Sequence, residues 1–292
     1  MTVKVGYLGP KGTFTKLAVK EVFPDEQALP FQTIPACIDA VQFGDVDFSV
    51  VPLENAIEGS VNLTIDYLIH EQQIPIVGEI IVPIRQHLMV HQHNISDWSN
   101  IKEVYSHSHA IAQCHQFLHR EMPDVDFQYT KSTGAAAEFV KDNPQLMVAA
   151  IGNELAAKEY GLEIVKHNIH DYENNHTRFV VLNRFGKEVN SSAIEKKGDR
   201  TTLMITLPSD YAGALHQVLS AFSWRKLNLS KIESRPMKTG LGNYFFIVDV
   251  EMKMDDVLLP GVKAELEALG CTVNVLGSYP FYLVEKQVTN GK

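Results

Sequence analysis

A polar, lysine-bearing stretch from Gly186 to Asp199 has no apolar period and divides two patterned regions, so it constrains the chain more than any other feature. Beyond it the elements read strand (Thr201 to Leu207), helix (Tyr211 to Lys226), strand (Asn228 to Ser234), strand (Asn243 to Glu251), helix (Pro260 to Leu269) and strand (Thr272 to Ser278). That β-α-β-β-α-β order is the ferredoxin-like pattern. Before it, short apolar strands alternate with helical stretches: Val3 to Leu8, helix Phe14 to Val22, Leu29 to Phe31, helix Ile34 to Phe43, and Phe48 to Val51. Alternation of this kind predicts an α/β fold with mostly parallel strands.

The pattern restarts after an extended run from Ile76 to Val90. A strand ends at Val104-Tyr105-Ser106, Ala110 to His119 and Ser132 to Val140 are helical, and Met147 to Ile151 and Phe179 to Leu182 are strands. Two α/β lobes result, joined by crossings near residues 80 and 175, and a ligand would sit in the cleft between them. The expected division is residues 1–185 for the two-lobed unit, 186–199 for the linker and 200–285 for the ferredoxin-like unit.

Composition excludes several classes. A formal charge of −9 with no basic stripe argues against nucleic acid and anionic membranes, so an anionic substrate would need local positive sites. Cys37, Cys114 and Cys271 are widely spaced and odd in number, which fits free thiols in a reducing compartment. No charged-then-apolar signal segment opens the chain, and a cytoplasmic location is expected. Pairs of histidines recur at 91 and 93, 107 and 109, and 115 and 119, but no carboxylate or third histidine completes a metal site, so no metal is expected.

Four segments place small or hydroxyl residues where a helix could start and leave backbone N–H groups available: Gly9 to Phe14, Glu54 to Ser60, Ser106 to Ala110 and Ser132 to Ala137. Each can receive an anion or merely cap a helix. Their recurrence on both lobes favours a ligand with more than one anionic group. Asn174 to Phe179 is a loop leading into a strand, with Thr177 and Phe179 on one face and Arg178 on the other. In the last third, Gly213 and Ala214 leave a first helical turn unobstructed for a carboxylate, and Asn228 could meet an ammonium group.

These segments together resemble the prephenate dehydratases that carry a C-terminal ACT regulatory domain. The resemblance rests on Gly9-Pro10-Lys11-Gly12-Thr13-Phe14, Val51-Pro52-Leu53-Glu54-Asn55 with Gly59-Ser60-Val61, Ala112-Gln113-Cys114, Thr177-Arg178-Phe179, Gly213-Ala214-Leu215 and Glu233-Ser234-Arg235-Pro236. It implies a periplasmic-binding-protein-like catalytic domain and a lyase that converts prephenate to phenylpyruvate without metal or organic cofactor. It also implies catalysis at Thr177, with substrate contacts at Gly12, Thr13, Phe14, Asn55, Ser60, Ser106, Ser132, Thr133, Arg178 and Phe179. L-Phenylalanine would bind and inhibit through Gly213, Ala214, Leu215, Asn228, Glu233, Ser234 and Arg235, in a homodimer or homotetramer formed by ACT domains. The chain departs from the usual pattern at Ala56, at Ser108-His109 with Ile111, and at Gly134. Arogenate as substrate, and a non-enzymatic solute-binding role, remain open at this point.

Overall fold

The computed structural model describes residues 2–209, 211–237 and 244–285. The first lobe contains β1 (Lys4–Leu8), α1 (Phe14–Val22), β2 (Gln27–Phe31), α2 (Ile34–Phe43), β3 (Phe48–Asn55), β4 (Gly59–Ser60), α3 (Asn62–His70) and β5 (Ile76–Pro83). The second contains β6 (His87–Val90), β7 (Glu103–Ser106), α4 (Ser108–Ala112), α5 (His115–Glu121), β8 (Asp126–Tyr129), α6 (Thr133–Asp142), β9 (Val148–Gly152), α7 (Glu154–Tyr160) and β10 (Glu163–Lys166). The chain then returns to the first lobe as β11 (His176–Leu182). The C-terminal region follows with β12 (Lys196–Thr206), α8 (Ala214–Ser223), β13 (Leu229–Pro236), β14 (Tyr244–Val250), α9 (Leu258–Ala268) and β15 (Thr272–Leu283). Asn243, the expected start of β14, lies outside the described residues.

Local sequence sets the helix limits. The Thr33 hydroxyl accepts the Ala36 N–H, Pro35 sits in the first turn of α2, and Gly44 ends that helix at φ 84°. Asn153 and Gly161 bracket α7 in the same way. The strands are nearly continuous apolar runs because helices cover both faces of each lobe's sheet. Val50, Val51, Val180 and Val181 are fully buried, with α1 packed on one side and α2 and α3 on the other. In the second lobe, α4 and α5 cover one face and α6 and α7 the other.

Strand pairing is more mixed than alternation predicts. β1 is parallel to β2 and β3, and β7 is parallel to β8 and β9. The returning strand β11 is antiparallel to both β3 and β5, and β6 is antiparallel to β9 and β10, because the crossing segments reverse direction as they enter each sheet. The two crossings are bonded to each other, Ile84 N–H to the Asn175 carbonyl at 2.8 Å and Ile169 N–H to the Gln86 carbonyl at 2.9 Å. They form a two-stranded hinge, and Thr177 lies just past it.

The stretch expected as a linker is part of the fold. Val189 is buried against Val77 and Gly78, and Lys196 to Asp199 already pair with β15. β15 then pairs in parallel with β5, so the C-terminal strands and the first-lobe strands make one sheet in the order β13-β14-β12-β15-β5-β11-β3-β1-β2, with β4 beside β3. A Cβ on Gly277 would lie 2.2 Å from the Ile76 carbonyl oxygen, so glycine there allows the two parts to meet. Among the described residues no helix is long and apolar enough to cross a membrane.

Candidate active site

β3 and β11 run side by side with Thr177 opposite Asn55 and Arg178 opposite Glu54. Asn55 ends its strand, and its Oδ1 accepts the N–H groups of Ile57 at 2.9 Å and Glu58 at 3.1 Å. An Asn at this position closes the following turn with its own side chain. That orientation leaves Nδ2 facing Thr177, where it donates to Oγ1 at 2.8 Å. The threonine oxygen therefore receives a hydrogen bond, and its own proton is available to an acceptor in the cleft. Thr177 is 9% exposed, so such an acceptor would be largely shielded from water.

The second lobe meets this turn directly. His109 Nε2 lies 3.7 Å from Glu58 Oε2, linking α4 to the β3–β4 turn. His107 caps α4 by accepting the His109 N–H, and its pKa is lowered by burial and then by the neighbouring His109. Gln113 lies one helical turn beyond His109 and is 6% exposed; its N–H donates to the His109 carbonyl and its own carbonyl accepts the Asp171 N–H.

The loop from Gly9 to Thr13 makes the other contact between lobes. Thr13 caps α1, Ser132 caps α6, and Thr133 follows in the first turn. Gly12, at φ 72°, packs against Ala156, while a Cβ on Gly134 would fall 2.3 Å from the Lys11 carbonyl oxygen. The Gly134 departure thus permits close approach of the lobes. Beside this contact lies an open groove of about 1160 Å³, lined by Lys11, Lys131 and Lys141 and also by Glu138 and Glu159.

Several expected site residues have other work. The Glu54 to Ser60 segment is a strand end and a hairpin, and the helix starts only at Asn62. Ser60 accepts from Lys231 at 2.7 Å and donates to Glu233 at 2.6 Å, so it faces the C-terminal region. Ser106 is fully buried and donates to the Ile151 carbonyl within its own sheet. Phe179 is a core residue, and Phe14 lines a separate small cavity with Leu17, Pro83 and Leu155. Arg178 binds no open space: its guanidinium contacts Glu54 at 2.7 Å, Glu79 at 2.8 and 3.1 Å and Asp249 at 2.6 Å. Burial opposes that charge, but Glu79 and then Asp249 outweigh it and raise the Arg178 pKa further.

The effector candidates also separate. Gly213 caps α8 at φ 91°, Ala214 is buried and Leu215 is partly exposed at the helix start. Asn228 donates its amide to Glu251. Glu233 and Arg235 point the other way, Arg235 bonding Asn62 and Asp66 of α3 at 2.5 Å, while Ser234 is exposed on the opposite face.

A family model described as prephenate dehydratase matches residues 5–187. The prephenate dehydratase of Bacillus subtilis is 59% identical over 285 residues, covering 96% of this chain and 99% of that protein. The chain belongs to the prephenate dehydratase family. A crystal structure of prephenate dehydratase from Arthrobacter aurescens, in complex with L-Phe, superposes with a TM-score of 0.83 at 34% identity, over 95% of this chain and 89% of that one. A structure described as a novel type of quorum quenching acylase superposes with a TM-score of 0.81 at 26% identity, over 95% and 98%. The fold is thus shared by proteins of different described activity, and the site must choose among them.

Proposed function

We propose that this chain catalyses the decarboxylating dehydration of prephenate to phenylpyruvate, with Thr177 as the hydrogen-bond donor to the leaving hydroxyl. The carrying observation is the 2.8 Å bond from Asn55 to Thr177, at the hinge of a two-lobed cleft. In the reaction the bond to the ring carboxylate breaks and releases carbon dioxide. Its electron pair aromatises the ring, the ring C–O bond breaks, and a proton joins hydroxide to give water. Aromatisation supplies the driving force, so the protein has to orient the dianion and stabilise the charge on the departing oxygen. Thr177 suits that task because a hydroxyl that already accepts a bond from Asn55 is polarised toward donating its own. The helix starts at Phe14 and Thr133, with Lys11, Lys131 and Lys141, offer local positive potential that Glu138 and Glu159 offset only in part.

The C-terminal region is read as an ACT domain that binds L-phenylalanine at the start of α8 and lowers turnover. Its β-α-β-β-α-β order and the L-Phe complex of the A. aurescens relative support this. Self-association through the same region, as a homodimer or homotetramer, is supported by the outer strand β13 and by exposed Trp224, Ile232 and Tyr244. The test is to incubate purified protein with prephenate and separately with arogenate, and to follow phenylpyruvate and phenylalanine, with and without EDTA and L-phenylalanine. Phenylpyruvate formation from prephenate that survives EDTA is the expected result. No turnover of prephenate, or turnover lost on chelation and restored by a divalent metal, would refute the reading.

A further inference from the structure

Three ion pairs between the first lobe and the C-terminal region, Lys231–Glu54, Asp249–Arg178 and Arg200–Glu79, converge immediately behind Asn55 and Thr177. Glu54 and Arg178 are the chain neighbours of that pair and form the next rung of the same ladder, joined at 2.7 Å. Each end of this rung is held from the C-terminal region. Lys231 of β13 reaches Glu54 at 3.1 Å, and Asp249 of β14 reaches Arg178 at 2.6 Å. Glu79 of β5 completes the cage: it is fully buried, grips Arg178 with both oxygens, and is itself bound by Arg200 of β12. Thr202 anchors Asp249 at 2.6 Å, and Glu233 and Ser60 anchor Lys231.

Two features separate this cluster from ordinary interface cement. Charges are a poor way to hold a buried interface, because their desolvation offsets much of their attraction and apolar residues of similar volume would serve at least as well. The backbone ladder between β11 and β3 also shifts register between Arg178 and Phe179, directly behind the catalytic rung. The extra residue, Leu53, belongs to β3, while β11 keeps unbroken register with β5 from His176 to Val181. A bulge re-aims side chains on its own strand, so the backbone fixes Thr177 but leaves the aim of Glu54 and Asn55 towards it to side-chain contacts. The side-chain cage supplies the missing constraint, and half of it belongs to another part of the chain.

We propose that Lys231 and Asp249 are positioning residues for the dehydratase reaction, acting on the Asn55–Thr177 pair through the Glu54–Arg178 rung. The proposal rests on the dehydratase reading above. It makes the C-terminal region a contributor to the geometry of turnover even when no effector is bound. A small shift of β13 and β14 against the first lobe would reach Thr177 through a single rung.

The test uses the full-length protein and three variants, Lys231→Met, Lys231→Arg and Asp249→Asn, the last nearly isosteric. Displacement of a reacting group by about 1 Å can cost on the order of 100-fold in rate, and the shift expected here is smaller. Both Lys231→Met and Asp249→Asn should lower kcat on prephenate about tenfold with KM within about twofold, the split expected when transition-state geometry alone suffers. Lys231→Arg should recover most of the loss. A kcat within about twofold of wild type for both Lys231→Met and Asp249→Asn would overturn the proposal. So would failure of both to fold by circular dichroism, failure of arginine to rescue, or a loss confined to KM. Wild-type protein that leaves prephenate untouched would refute the underlying reading, and the proposal with it.

Discussion

Replacing Arg178 with methionine separates two roles that the charge in this motif could have. If Arg178 bound a substrate carboxylate, the variant would raise KM and leave folding intact. The structure instead gives it three carboxylate partners, Glu54, Glu79 and Asp249, drawn from three strands. At charge separations near 4 Å and an effective dielectric of about 20, each pair is worth roughly 4 kcal/mol before desolvation. Much of that gross attraction is returned when the guanidinium no longer has to be buried. Each carboxylate also keeps one partner, Lys231 for Glu54, Arg200 for Glu79 and Thr202 for Asp249. The net cost should therefore fall in the range found when one member of a buried pair is removed, about 3 to 5 kcal/mol. With about 2 to 4 °C per kcal/mol for chains of roughly this size, the melting temperature should drop on the order of 10 °C. Thermal unfolding followed by circular dichroism at pH 7 measures it, alongside Arg178→Lys, which keeps the charge but loses the two-pronged grip on Glu79 and should fall between. A melting temperature within about 2 °C of wild type, with KM raised more than tenfold, would refute the buried-cage account and return Arg178 to the substrate.

Further outcomes follow from the same geometry. Thr177→Ala should lower kcat by about 10² to 10⁴-fold with little change in substrate binding, and Thr177→Ser should keep part of the rate; steady-state and single-turnover kinetics on prephenate decide it. His87 on β6 accepts the Asn168 N–H at Nδ1, and burial, followed by repulsion from His167, His170 and Arg85, pushes its pKa down to about 4. Its folded value lies below the unfolded value of about 6.5, so this contribution is complete above pH 6.5 and is lost as pH falls toward 4. It amounts to about 3 kcal/mol at most, and urea titrations across that window should show a shallower slope for His87→Gln. Gly213→Val should weaken inhibition by L-phenylalanine severalfold while sparing uninhibited turnover, because φ 91° suits glycine and the helix start should distort; unchanged inhibition would count against that effector site.

Much of the frame was legible because it depends on short-range pattern. The apolar runs Val3 to Leu8, Met147 to Ile151 and Phe179 to Leu182 fall on β1, β9 and β11, and Ser132 marks the start of α6 by its side-chain chemistry, whereas α7, capped by Asn153, was not read from the sequence. Alternation even placed Arg178 on the face opposite Thr177. It could not show that this face is covered, because Asp249 lies 71 residues further along. The polar stretch after Gly186 misled for a related reason: its two apolar anchors, Val189 and Ile194, give no period, and Lys196 to Asp199 become a strand only because β15 is there to pair with them. Asn55 was marked as a site residue from the resemblance. Its turn geometry, with two backbone N–H groups held by one side-chain oxygen, emerges only in three dimensions.

The parallel pairing of β15 with β5 also bears on how the protein can be taken apart. Cutting the chain near residue 187, where the family match ends, would remove the neighbour of β5 and leave a row of unpaired backbone groups beside an apolar strand. It would also strip Glu79 of Arg200 and Arg178 of Asp249. Such a fragment has the features of a self-associating species rather than of a freed enzyme. Loss of regulation without loss of solubility is better sought by point substitution on the outer strands than by truncation.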